Sequence, residues 1–156
     1  MLTFRLAIGN DAKDWIRLNR EFMAFELTDG APWGDAAGVS DEEFNRIFSE
    51  ALSQPERIRL LLVEEDGKAV GFANLLIIYS VWAHGKALFM DDLYLDESVR
   101  GKGYGKRTLE YIESYGKDLD CKRLQFYAEN SNPNAKAFYR AMGYDTEELN
   151  VYIKYF

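Results

Sequence analysis

The chain has 156 residues, about the size of one domain, and its 47% hydrophobic and 29% charged residues describe a protein that buries a core rather than a disordered one. A net charge of −7 argues against a nucleic-acid partner, and a single cysteine, Cys121, excludes an internal disulfide or a cysteine-built metal cluster. The apolar runs 60–63 and 75–79 are too short to cross a bilayer, the N-terminus lacks a signal-peptide pattern, and the lone histidine, His84, argues against a zinc site, so a cytoplasmic protein with no metal and no membrane partner is expected.

Residues 3–8 read as a short strand. Asn10 or Asp11 can cap a helix that carries Trp15, Leu18, Phe22 and Phe25 at helical spacing. The stretch 28–39 holds Gly30, Pro32, Gly34 and Gly38 and is expected as a long loop. Ser40 followed by Glu43 is the pattern of a capping box, and it opens a helix with the apolar face Phe44, Ile47, Phe48, Ala51 and Leu52. After Pro55 the pattern changes. Strands are expected at 58–64, 69–80 and 87–95, with Asp66-Gly67 as a hairpin turn and a break at His84-Gly85, together an antiparallel meander. A glycine-rich turn at 101–105 leads into a helix reaching about Tyr115, with Leu109 and Ile112 inward, and then into a strand over 121–128. Strand, helix and strand in that order imply a parallel pair joined by a right-handed crossover. Asn132-Pro133 starts a helix that turns Ala135, Phe138 and Met142 inward and closes at Gly143. Residues 151–156 alternate and are rich in β-formers, so a last strand is expected there. The sum is one domain over 1–156 of the α/β (α+β) class. Its central sheet is mixed and mostly antiparallel, with one parallel strand pair and helices on both faces.

The most informative segment lies between the third of those meander strands and the next helix. Arg100-Gly101-Lys102-Gly103-Tyr104-Gly105-Lys106 places three glycines within five residues. Such a turn lets successive backbone N–H groups converge on one anion, and the helix dipole adds positive charge. Lys102, Lys106 and Arg107 add mobile cations. The turn is expected to be a phosphate or pyrophosphate cradle, and its alternative is a flexible turn with no ligand. A Walker loop does not fit, because Arg stands at 100 and at 107 where that motif needs Gly and Ser or Thr. The dinucleotide fingerprint does not fit either, because the third glycine comes one residue early.

Arg100-x-x-Gly103-x-Gly105 resembles the acetyl-CoA-binding signature Gln/Arg-x-x-Gly-x-Gly/Ala of the GCN5-related N-acetyltransferase (GNAT) superfamily. Asn132-x-x-Ala135-x-x-x-Tyr139-x-x-x-Gly143-Tyr144 is similar to that family's second motif, and the order of elements from residue 3 to 156 also fits. Within the superfamily, Tyr79-Ser80-Val81-Trp82 and Leu88-Phe89-Met90-Asp91-Asp92-Leu93-Tyr94-Leu95 look most like the diamine and polyamine (spermidine/spermine) branch, with Asp91 where that branch has Glu.

The resemblance implies transfer of acetyl from acetyl-CoA to a primary amine of a small cationic acceptor by direct attack. It implies that Tyr139 protonates the departing thiolate and that Asp91 is the catalytic carboxylate for the acceptor ammonium. Backbone groups of Leu93, Tyr94 and Leu95 would meet the thioester and pantetheine. Arg100, Gly101, Lys102, Gly103, Tyr104, Gly105 and Lys106, with Asn132, would hold the rest of the cosubstrate, and Glu26 would join the acceptor site. A homodimer through the C-terminal strands is a further implication. On a regular strand Asp91 and Asp92 point to opposite faces, and a bulge changes that, so either carboxylate can face the acceptor. Trp33, in a loop, and Trp82, at a strand end, are candidates to line an acceptor pocket. Two other readings stand beside this one. One is acetylation of a protein α-amino group or lysine. The other is an acyl-CoA-binding regulatory module without turnover, which would need neither Tyr139 nor an acidic strand residue.

Overall fold

Five β-rich stretches pair in chain order into one sheet: β1 (Leu2–Leu6), β2 (Ile58–Glu65), β3 (Lys68–Ser80), β4 (Gly85–Leu95) and β5 (Arg123–Gln125). The first three junctions are antiparallel and the β4–β5 junction is parallel. The computed structural model describes residues 1–26, 38–128 and 133–156, and its four α-helices among them are α1 (Ala12–Glu26), α2 (Asp41–Leu52), α3 (Tyr104–Asp118) and α4 (Pro133–Ala141). None of these helices is long and apolar enough to cross a membrane.

The unbroken apolar run of β2 is explained by helices on both sides. Leu60 and Leu62 pack with Trp15 and Leu18 of α1 and Phe44 and Phe48 of α2. Leu61 faces the other way, into a cluster with Leu109 and Ile112 of α3, against which Phe138 of α4 and Met142 just past its end pack. A strand covered on both faces gains from apolar side chains at every position. The β2–β3 turn is the expected Asp66-Gly67, with φ of 52° and 78°, the two left-handed residues that a tight hairpin needs.

Two irregularities shape β4. Asn74 of β3 pairs with Asp92 while Leu75 pairs with Met90, so Asp91 is the extra residue of a β-bulge. The bulge shifts the alternation by one. Leu88, Met90 and Leu93 all lie on the α3 side, whereas Tyr94 turns to the α1 side. The second irregularity is the edge toward β5. Pairing covers only Ala87–Phe89 against Arg123–Gln125. Beyond Phe89 the two strands part, and β4 has no β-partner on that side among the described residues.

Several sequence expectations need correction. The first strand is 2–6 rather than 3–8, and a 3-10 turn (Gly9–Asp11) precedes α1. Ser40 accepts from the Glu43 N–H at 3.1 Å, but the Glu43 carboxylate bonds Arg46 instead, so only half of the capping box forms. Phe25 and Ile47 are exposed rather than inward. The strand expected over 121–128 is reduced to three residues, because beyond Gln125 it has left its partner β4. The strand expected over 151–156 does not form: no strand follows β5 among the described residues, and these side chains are exposed. Its alternation supplies a face but no neighbouring edge, and a strand without a ladder is not stable. Most of the loop expected at 28–39 lies outside the described residues.

Candidate active site

The glycine-rich turn follows β4 directly. A 3-10 turn (Glu97–Val99) anchors Val99 in the core, and the chain then passes Gly101 and Gly103 at φ of 75° and 76°. These left-handed conformations are where glycine is needed. Gly103 is the N-cap of α3, and the first N–H to bond back is that of Arg107, to the Gly103 carbonyl. The N–H groups of Tyr104, Gly105 and Lys106, at the first turn, have no partner within the helix and point out of its positive end. Lys102 reaches back to Glu65 at the end of β2, 3.2 Å away, and the Tyr104 hydroxyl donates to the same carboxylate. Those two hydrogen bonds, that of Tyr104 foremost, hold the Glu65 carboxyl below its ordinary range. Lys106 lies 3.7 Å from Glu110. Arg100 bonds Glu97 at 3.3 Å and lays its guanidinium 4.8 Å over the Phe25 ring. Glycines with open space around them, a helix N-terminus and nearby cations fit a diphosphate ligand.

Leu93, Tyr94 and Leu95 lie on the stretch of β4 that has parted from β5, so one side of their backbone is available to an extended ligand with amide groups. Gln125, at the last β4–β5 pair, has a buried Oε1 with no hydrogen-bond partner among the described residues. It is a polar group at the fork that sequence reasoning missed, since nothing in the sequence marks where β5 ends.

The two adjacent carboxylates sit at the head of this open stretch. Asp91 is exposed on the bulge, and partial desolvation raises its carboxyl above the ordinary value. Asp92 is partly buried and accepts from Asn74 Nδ2 at 2.7 Å. Burial pushes its pKa up to about 6, the Asn74 bond opposes that rise, and the charge of Asp91 adds to it. Asn74 in turn accepts from the Trp15 indole at 3.1 Å. Sequence reading gives Trp15 only as a helix-face residue and does not single out Asn74. The signal for Asn74 was present, as it is the one polar side chain in the run 70–78.

Tyr139 lies on α4, on the opposite side of the sheet from the α1 cluster. Its ring packs 4.5 Å from Phe126 and 6.1 Å from Tyr144, centroid to centroid. Tyr144 donates its hydroxyl to Glu113 at 2.6 Å, which fixes the C-terminal end of α4 against α3. Among the remaining sequence candidates, Glu26 is the last residue of α1. Trp33 and Asn132 lie outside the described residues. Trp82 stands 91% exposed beyond the end of β3. From Asp92 back to the start of β4 is roughly 23 Å at the ~3.3 Å rise of a strand, so Trp82 is not brought to the carboxylates.

Comparison with known proteins meets the same arrangement. Residues 15–144 match the model of the acetyltransferase (GNAT) family. The chain is 26% identical over 139 residues to a D-amino-acid N-acetyltransferase of Saccharomyces cerevisiae, covering 89% of this chain and 82% of that protein. It is 27% identical over 146 residues to the thialysine N-epsilon-acetyltransferase of Bos taurus, covering 89% and 81%. The crystal structure of a possible acetyltransferase from Clostridium difficile 630 superposes with a TM-score of 0.80 over 100% of this chain and 98% of the other, at 20% identity, a likeness of fold. A glycine turn feeding a helix, a bulged fourth strand that parts from the fifth, and a family match running from the first helix to the end of the last thus converge, and the chain belongs to the GNAT family as an acetyl-CoA-dependent N-acetyltransferase.

Proposed function

We propose that the acceptor is a primary amine of a small cationic molecule, diamine- or polyamine-like, and that Asp92 is its base and Tyr139 the acid for the leaving thiolate. The observation that carries this reading is the Asp92 carboxyl, raised to about 6 beside the open stretch of β4 and given no cation among the described residues. An ammonium titrates near ~10.4, so an ordinary carboxylate is a poor base for it, and a raised pKa narrows the gap. Asp91, exposed next to it, supplies a second negative charge for the far end of a cationic acceptor. Asp91 was the sequence candidate for the base; the bulge geometry favours Asp92 for that role and Asp91 for acceptor binding.

The acceptor enters as an ammonium and gives one proton to Asp92, directly or through water, and Asp92 releases it to solvent before the next turnover. The amine nitrogen attacks the thioester carbonyl carbon, and the C–N bond forms. Backbone N–H groups of 93–95 receive the developing oxyanion. As the C–S bond breaks, Tyr139 protonates sulfur, and the second amine proton makes good the loss. Asp92 and Tyr139 stand on opposite faces of the sheet, so this reading requires a substrate in the β4–β5 fork to reach both. Gly101, Gly103 and the first turn of α3, with Lys102 and Lys106, would hold the diphosphate.

The two enzymes named above are described as acting on D-amino acids and on thialysine, small amine-bearing molecules, which supports a small acceptor over a protein one. Exposed Val151, Tyr152, Tyr155 and Phe156 support a homodimer that covers this end.

The test is a panel of amines with acetyl-CoA, read by release of free thiol. Diamines should turn over faster than aliphatic monoamines of equal length, and equal rates would refute the acidic acceptor site. Tyr139→Phe removes one hydroxyl while the ring keeps its packing. It should lower kcat by about 10²–10⁴ with acetyl-CoA affinity unchanged. Full kcat with chemistry rate-limiting would assign the acid to another group.

A further inference from the structure

An asparagine in the middle of an apolar strand costs desolvation unless its amide is bonded. Asn74 is 8% exposed, and both ends of its amide are used. The Trp15 indole donates to Oδ1 at 3.1 Å, and Nδ2 donates to Asp92 Oδ2 at 2.7 Å. The indole N–H can only donate, so it selects the oxygen end of the amide and leaves the NH2 end for the carboxylate. Trp15 is itself fixed. It is 4% exposed, its ring packs 5.4 Å from Phe48 and 6.1 Å from Phe44, and its carbonyl accepts from Asn19 at 2.7 Å. The chain of bonds therefore runs from the α1–α2 core, through β3, to the residue just past the β4 bulge.

We propose that Asn74, oriented by Trp15, is a positioning residue for acetyl transfer: it aims the Asp92 carboxylate at the acceptor amine and favours its ionised, proton-accepting form. The inference rests on the reading of Asp92 as base. Among the described residues, Asp91 is the charged side chain that acts on Asp92, from β4 itself and in the direction of protonation. β3 presents the neutral Asn74 and α1 the neutral Trp15. The Asn74 bond is thus what opposes burial and Asp91 together.

The test is the pH dependence of kcat/KM for the full chain, with acetyl-CoA and the fastest amine of the panel. Wild type should show an ascending limb governed by Asp92, well below the limb of the amine itself near ~10. Asp92→Asn should lose the lower limb. Asn74→Leu removes the donor at similar volume and should move the midpoint about one pH unit upward, so that the rate below it falls about tenfold. Trp15→Phe should shift it in the same direction by less, and it carries the test alone if Asn74→Leu fails to fold. A purely structural role would lower the melting temperature and leave the midpoint in place. If Asp92→Asn loses the limb while Asn74→Leu and Trp15→Phe leave the midpoint unmoved, the positioning role is overturned and the Asp92 reading stands. If Asp92→Asn keeps the limb and the rate, the Asp92 reading falls and the positioning role with it.

Discussion

Two shielded aspartates, one at the β1–α1 junction and one past the β4 bulge, are treated in opposite ways. Asp11 is 9% exposed and receives both Arg5 Nη atoms, at 2.7 and 2.8 Å, plus the Ile8 N–H at 2.7 Å. The Arg5 hydrogen bonds outweigh desolvation and hold its carboxyl below the ordinary value. Glu64 grips the same guanidinium at 2.9 Å, so this corner is a closed cluster that ties β1 to β2 and to the start of α1. Among the described residues Asp92 receives one neutral amide and no cation, and burial carries its pKa up to about 6. Shielding from water is common to both. What separates the structural carboxylate from the one proposed as base is the partner: a bidentate cation removes the capacity to take a proton at neutral pH, and an amide leaves it in reach.

Catalysis should break the symmetry of the pair most strongly. Asp92→Asn should lower kcat by about 10²–10⁴ in the thiol-release assay, the usual contribution of a positioned base. Asp11→Asn should leave the kcat of the folded enzyme unchanged. If both variants lose activity alike, the distinction fails. The next effect is on stability. Asp11→Asn leaves Arg5 with Glu64 alone and should lower unfolding free energy by about 2 kcal/mol in urea at pH 7, discounted because Arg5 is partly exposed. Its folded pKa lies below the unfolded 3.8, so the Asp11 contribution is present above that value and fades as pH falls through the folded one. Wild type and Asp11→Asn should therefore converge in acid.

The contrast also marks how far the sequence could be read. Element order, the Asp66-Gly67 hairpin and the parallel pair were legible because alternation, turn residues and the crossover rule are local signals. The glycine turn was legible because left-handed backbone at 101 and 103 needs glycine. The bulge was open. Met90-Asp91-Asp92-Leu93 reads equally well in either phase, and only pairing of Asn74 with Asp92 decides which carboxylate joins the α1 side. The Asp92 pKa follows from that choice and from the bond of Asn74, whose own partner, Trp15, lies 59 residues away in the chain. The last strand failed for a related reason. The pattern at 151–156 states a preference, and no described edge of this chain meets it.

The smallest expected effect is the one that sharpens the comparison most, because it has the opposite sign to that at Asp11. Asp92 has a folded pKa of about 6 against 3.8 when unfolded. Between those values the native state binds a proton that the unfolded state has released, so stability falls as pH rises through this window and is level above it. At pH 7 the charged, partly buried carboxylate thus destabilises the fold. Two pH units correspond to an upper bound of about 3 kcal/mol, and access of water at the open edge of β4 reduces this to about 1–2 kcal/mol. Asn at 92 accepts the same Asn74 bond without the charge. Asp92→Asn should therefore match wild type near pH 4, gain on it up to about pH 6 and stay about 1–2 kcal/mol more stable at pH 7. Urea midpoints across that range are the measurement. A difference that does not change with pH would mean that Asp92 titrates as an ordinary surface carboxylate, and the absence of a cation beside it would then carry no functional meaning.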